Sequence, residues 1–101
     1  MAKKLKPVHP GEMLREDFLK PYGLSMTKLA MDLHVPVTRI ADIVAERRGI
    51  TSDTALRLGR YFKTSPEFWL NIQRRTELWE ATNSPQEMER IGRAKAIVAA
   101  G

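Results

Sequence analysis

Helix start and stop signals recur so closely along this chain that each segment between them has room for one short helix and little else. Ser25, Thr51, Ser65 and Ser84 each stand where a hydroxyl can accept an orphan amide N–H at a helix start. Pro66 and Pro85 follow two of them at the first helical position, where a missing N–H costs nothing. Apolar residues between the signals recur at intervals of three and four, the period of a helix with one buried face. Leu14 and Phe18 mark a first helix over residues 12–20, preceded by Pro10-Gly11 and closed by Pro21 and Gly23. Leu29, Ala30 and Leu33 mark a second, of about two turns. Ile40, Ile43 and Val44 mark a third over residues 37–46, ended by Arg47-Arg48-Gly49. A fourth helix, with Asp53 in its first turn, buries Ala55, Leu58 and Phe62. The fifth carries Trp69, Ile72, Thr76 and Trp79, with Phe68 and Leu78 beside that stripe. In the last, Met88, Ile91, Lys95 and Val98 follow at helical spacing. No segment alternates as a half-buried strand does. The expectation is an all-α chain of five or six short helices.

Residues 26–43 are the most informative. Two helices joined by a tight turn cross steeply only where a small residue lies at the contact and apolar side chains from both fill the wedge. Ala30 is that small residue, and Leu29, Leu33, Val35, Ile40 and Ile43 fill the wedge with the spacing of a helix-turn-helix. His34 occupies the turn position usually held by glycine. A left-handed backbone there is strained for a β-branched residue, while histidine tolerates it. With no second ligand near it in sequence, His34 reads as structural, and His9 as ordering the first helix start.

If residues 37–46 form a recognition helix, its first turn turns Val37, Thr38 and Arg39 outward, with Asp42 one turn on. Arginine pairs bidentately with guanine, and threonine or valine meets a thymine methyl. Lys28 before this helix and Arg47 and Arg48 after it are placed for phosphates, which fix register and supply salt-dependent affinity. The competing role for Arg39 is a surface ion pair with Asp42, and for Arg47 and Arg48 one with Glu46. Helix-turn-helix modules generally act as dimers on two-fold sites. Trp69, Ile72, Trp79, Met88 and Ile91 are the candidates for that contact, weighed against plain core packing.

Composition narrows the function classes. The 101 residues hold 43% hydrophobic and 29% charged side chains, a globular balance, and no apolar run reaches the ~20 residues that span a bilayer. Seventeen Lys and Arg against 12 Asp and Glu leave a net +5. The excess is shared, nine basic to six acidic residues in 1–50 and eight to six in 51–101, so it acts through a folded surface and steers polyanions in general. No cysteine is present, which removes disulfides, zinc knuckles and thiol chemistry. The two histidines are isolated and no Gly-rich phosphate loop occurs, so neither a cofactor nor an enzymatic activity is expected. The basic start at Lys3, Lys4 and Lys6 has no apolar stretch behind it, which implies a cytoplasmic protein, nucleoid-associated through its DNA. The domain reading is a basic arm over 1–9, a helix-turn-helix domain over 10–82 and a C-terminal helix and tail over 83–101.

Beyond these patterns the chain resembles the HigA-type antitoxins, also called VapI-like proteins, within the Cro/CI-type helix-turn-helix regulators. The likeness rests on His9-Pro10-Gly11-Glu12, Asp17-Phe18-Leu19-Lys20-Pro21, Gly23-Leu24-Ser25, Leu29-Ala30, Val35-Pro36 and Thr38-Arg39-Ile40. It continues through Ile43-Val44, Arg47-Arg48-Gly49-Ile50-Thr51, Asp53-Thr54-Ala55-Leu56-Arg57-Leu58 and Thr64-Ser65-Pro66-Glu67-Phe68-Trp69-Leu70-Asn71-Ile72-Gln73. The resemblance implies a five-helix Cro/CI-repressor-like domain with an extra C-terminal helix, forming a homodimer on the operator of its own operon. It also implies a partner, a HigB-like, RelE-type toxin that cleaves mRNA and is held inactive. The family pattern is departed from at three places. Met26 stands where the family usually has Gln, whose amide contacts the DNA backbone, so that contact is either lost or taken over by Thr27 or Lys28. Glu46 stands where Gly is common, and Thr76-Glu77-Leu78 replaces Tyr-Asp-Leu. The alternatives are a transcriptional regulator without a toxin and a toxin-binding module with weakened DNA binding.

Overall fold

In the computed structural model, which describes residues 6–98, six helices follow one another and no strand occurs among those residues. The first, α1 (residues 10–22), is unbroken but shifts register: α-helical over Pro10–Met13, π-helical over Leu14–Leu19 and α-helical again over Lys20–Tyr22. This corrects both expected limits. Pro21 lies inside α1, and Gly23, at φ 59°, ends it. Proline inside an α-helix collides with the carbonyl four residues back and offers it no N–H. Here the Lys20 N–H already reaches back five residues to the Arg15 carbonyl, so the ladder has shifted before the proline ring arrives. At the other end His9 caps α1, its Nδ1 accepting the Gly11 N–H at 2.9 Å, the ordering role expected of it.

Next come α2 (Met26–Leu33), α3 (Val37–Val44), α4 (Ser52–Phe62), α5 (Pro66–Thr82) and α6 (Pro85–Ile91). The expected caps are in place: Ser25, Thr51, Ser65 and Ser84 accept the N–H of Lys28, Thr54, Phe68 and Glu87. α3 is two residues shorter than predicted. Glu46 takes φ 63°, and the N–H groups of Glu46 and Arg47 fold back onto the carbonyls of Ile43 and Asp42 at 2.9 and 2.8 Å. That paired closure is a Schellman motif, in which glycine usually holds the left-handed position. It recurs at the end of α2, where His34 has φ 60°, and Lys63, at φ 61°, ends α4.

The core gathers Leu14 and Leu19 of α1, Leu29, Ala30 and Leu33 of α2, Ile40 and Ile43 of α3, Ile50, Ala55 and Leu58, with Trp69 fully enclosed. The predicted wedge beneath α2 and α3 is therefore present, with Val35 packed against it. Phe62, expected inside, is only half-buried. It joins Phe18 and Phe68 in an aromatic collar around Trp69. Gly11 lets α1 approach α3, because a Cβ there would fall on the Ile43 carbonyl.

No residue of α5 beyond Thr76 is buried, and α6 buries none. The last turns of α5 and all of α6 thus lie outside the core, in a molecule measuring 52 × 29 × 23 Å. The predicted run of α6 through Lys95 and Val98 does not form; both residues lie past its end. Helical spacing alone cannot sustain so short a helix without a face to bury. Lys3 and Lys4 of the expected arm lie outside the described residues.

Candidate nucleic-acid interface

The α2–α3 pair sets the geometry. Pro36 precedes α3, and the first turn of that helix leaves Val37 and Thr38 exposed, with Arg39 half-buried beside them. Thr27 and Lys28 are exposed in the first turn of α2, next to the exposed Met26. Beyond the other end of α3, Arg47 and Arg48 are exposed in the loop.

Most of these cations are already paired. Lys28 Nζ lies 3.1 Å from Asp32 Oδ1. Arg47, for which the competing role was an ion pair with Glu46, meets Asp42 instead, at 2.9 Å. That takes the carboxylate of the competing pair for Arg39, whose Nη1 donates to Asp53 Oδ2 at 2.7 Å. Glu46 is 3.9 Å from Arg15. The corrections share a cause: α3 ends early, so Glu46 turns away in its left-handed conformation while the loop brings Arg47 back over Asp42. Arg48 has no ion-pair partner among the described residues.

Three further residues hold this surface in place. Arg57 Nη1 donates to the Leu33 carbonyl at 2.7 Å, closing the end of α2, while its Nε donates to Asp53 Oδ2 at 2.9 Å. Hydrogen bonds from Arg57, then Arg39, hold the Asp53 carboxyl below its ordinary value. Arg15 does for α3 what Arg57 does for α2, its Nη1 donating to the Val44 carbonyl at 2.8 Å. Both guanidiniums sit where helix dipoles favour positive charge. Gln73, buried on α5, accepts the Ile50 N–H at 2.8 Å and pins the loop that carries Arg47 and Arg48. Gly49 leaves room for this bond: a Cβ there would come within 2.6 Å of the Gln73 amide, which would have to shift. Sequence reading missed all three, since each pairs with a backbone group more than twenty residues away.

Behind α2, Tyr61 Oη donates to Asp32 Oδ2 at 2.7 Å. That bond, with the one from Lys28, holds the Asp32 carboxyl below its ordinary range, while Asp32 raises the Tyr61 phenol. His34 is exposed, placed by its backbone alone.

The residues suggested for a dimer contact separate into two groups. Trp69 and Ile72 are 0% and 5% exposed within their own chain, so they have no surface left to offer a partner. Their helical stripe reads equally well as core, which is what it forms. Trp79 is half-buried, with the Lys6 ammonium 5.8 Å from its ring centroid, and Met88 and Ile91 are exposed, as is Leu78. No described helix is long and apolar enough to cross a membrane.

The helix-turn-helix family HTH_3 matches residues 16–69. Virulence-associated protein I of Dichelobacter nodosus is 50% identical over 88 residues, covering 87% of this chain and 82% of that protein. The structure of Pseudomonas aeruginosa antitoxin HigA with the higBA promoter superposes with a TM-score of 0.79 at 42% identity, over 91% of this chain and 99% of that one. Antitoxin GraA in complex with its operator superposes at 0.84 and 40% identity, over 98% and 99%. These likenesses belong to DNA-binding antitoxins and regulators, a class without enzymatic chemistry. The chain belongs to the Cro/CI-type helix-turn-helix family, among the HigA- and VapI-type antitoxins.

Proposed function

We propose that this chain represses its own operon by binding operator DNA as a homodimer, and that it neutralises a HigB-like, RelE-type toxin. The observation that carries the DNA half is the placement of an exposed Val37-Thr38 turn beside Arg39, with Lys28 at one flank and Arg47 and Arg48 at the other. In this reading Arg39, Thr38 and Val37 meet base edges and Asp42 screens the next position. Thr27, Lys28, Arg47 and Arg48 meet phosphates. The Lys28 and Arg47 ion pairs are exposed, so trading their carboxylates for phosphates costs little. The homologous antitoxins solved on promoter and operator DNA support this docking. The helix-turn-helix domain spans 10–82, and 1–9 and 83–101 are appendages to it. Trp79, Met88 and Ile91 form the apolar face for a second copy.

The test has two arms. Gel retardation with the DNA upstream of the chain's own coding sequence reads the first; a specific shift supports operator binding. Co-expression with the neighbouring reading frame reads the second. Growth arrest by that frame alone, relieved by this chain and accompanied by co-purification, supports the antitoxin role. A shift without rescue would leave a stand-alone regulator, and rescue without a shift a toxin-binding module.

A further inference from the structure

We propose that Asp53, outside the helix-turn-helix pair, is a positioning residue that presets Arg39 for reading DNA. This rests on the reading of α3 as the recognition helix. One carboxylate oxygen, Asp53 Oδ2, accepts from Arg39 Nη1 at 2.7 Å and from Arg57 Nε at 2.9 Å. Arg57 is in turn fixed to the end of α2 through the Leu33 carbonyl at 2.7 Å. The carboxylate is thereby tied to α2 and α4 together, and it ties α3 to both. Arg39 commits Nη1 to this contact and leaves Nε and Nη2 without a hydrogen-bond partner among the described residues. Its side chain keeps 29% exposure, so the uncommitted edge of the guanidinium can meet a ligand while Asp53 holds the other. A free arginine gives up rotamer freedom when it docks; a held one has already done so. Bidentate pairing to guanine needs two N–H groups presented in a fixed plane, and a buttressed guanidinium supplies that.

A carboxylate beside a DNA-facing surface also repels phosphate. The two roles predict opposite signs. If Asp53 acts only as a charge, removing it strengthens binding to every duplex alike. If it positions Arg39, removing it weakens the preferred duplex relative to others.

The probes are the duplex that the full-length wild-type chain enriches from a randomised library and a shuffled duplex of the same base composition. Asp53→Ala is expected to lower the ratio of the two affinities about tenfold, the scale of one good bidentate base contact. Arg39→Ala should lower it by as much, and the double variant no further. Asp53→Asn, which keeps a neutral acceptor, should fall between wild type and Asp53→Ala; it carries the comparison if circular dichroism shows Asp53→Ala unfolded. Equal strengthening on both duplexes, or losses from Asp53 and Arg39 that simply add, overturns the positioning role. A wild-type chain that enriches no duplex overturns instead the reading of α3 on which the proposal rests.

Discussion

Replacing Gln73 with methionine isolates one hydrogen bond that joins the core to the candidate interface. Gln73 Oε1 accepts the buried Ile50 N–H at 2.8 Å. Methionine approximates the length and volume of glutamine, so little cavity or overpacking follows. What goes is the acceptor, and an unsatisfied buried donor costs about 1–3 kcal/mol. At about 2 kcal/mol, in a domain whose total stability is roughly 5–15 kcal/mol, the loss is large. It lowers Tm by roughly 8–16 °C for a chain of this length. Urea unfolding followed by tryptophan fluorescence reads it, since Trp69 is enclosed in the core. The midpoint should fall while the urea dependence keeps its slope, because the surface exposed on unfolding is unchanged. Amide exchange adds a local readout: Ile50 should lose protection while the core amides of α4 lose only what the global change requires. DNA affinity should weaken with it, as the loop bearing Arg47 and Arg48 loosens. A destabilisation below about 0.5 kcal/mol, the range of an ordinary surface substitution, or an Ile50 amide as protected as in wild type, would refute this account of the loop.

Other perturbations follow from the same structure. His34→Gly and Lys63→Gly, at φ 60° and 61°, should each stabilise by about 0.5–1 kcal/mol in thermal unfolding, relief of left-handed strain outweighing the added freedom of the unfolded chain; a drop in Tm would show that the side chains matter. Asp32 ionises below its ordinary value of about 3.9, so its contribution is complete above that pH and is lost as pH falls through the lowered folded value. The stability gap between wild type and Asp32→Asn should therefore shrink as urea midpoints are taken from pH 6 down to roughly pH 2; a constant gap contradicts it. If Trp79, Met88 and Ile91 close a dimer, Ile91→Asp should weaken dimerisation at least about tenfold in analytical ultracentrifugation, the scale on which a charge disfavours an apolar contact. An unchanged association constant would place the contact elsewhere.

What the sequence made legible was local. Each serine or threonine cap acts within three residues, and the wedge of Leu29, Leu33, Ile40 and Ile43 follows from two adjacent periodicities, so the helix-turn-helix could be read directly. His34 was readable for the same reason, because a left-handed residue after a helix is a local demand. The clamps from Arg15, Arg57 and Gln73 were not, since each bonds to a backbone group set by tertiary packing. The ion pair weighed against DNA contact for Arg39 had the wrong carboxylate for the same reason: Asp53, fourteen residues along the chain, takes the place given to Asp42. Periodicity also could not tell the core stripe of Trp69 and Ile72 from an interface, or show that α6 lacks a surface on which to extend.

The central claim is that α3 reads a particular DNA sequence, held in register by Lys28, Arg47 and Arg48. The most direct measurement is the affinity of the full chain for its own upstream DNA and for a shuffled duplex of equal composition, over a series of salt concentrations. Affinity for both should fall linearly on logarithmic axes, with a shallower slope for Arg47→Ala and Arg48→Ala. The upstream DNA should keep an advantage of roughly a thousandfold or more at physiological salt, reduced by Arg39→Ala. Equal affinity for the two duplexes at every salt concentration would contradict the claim.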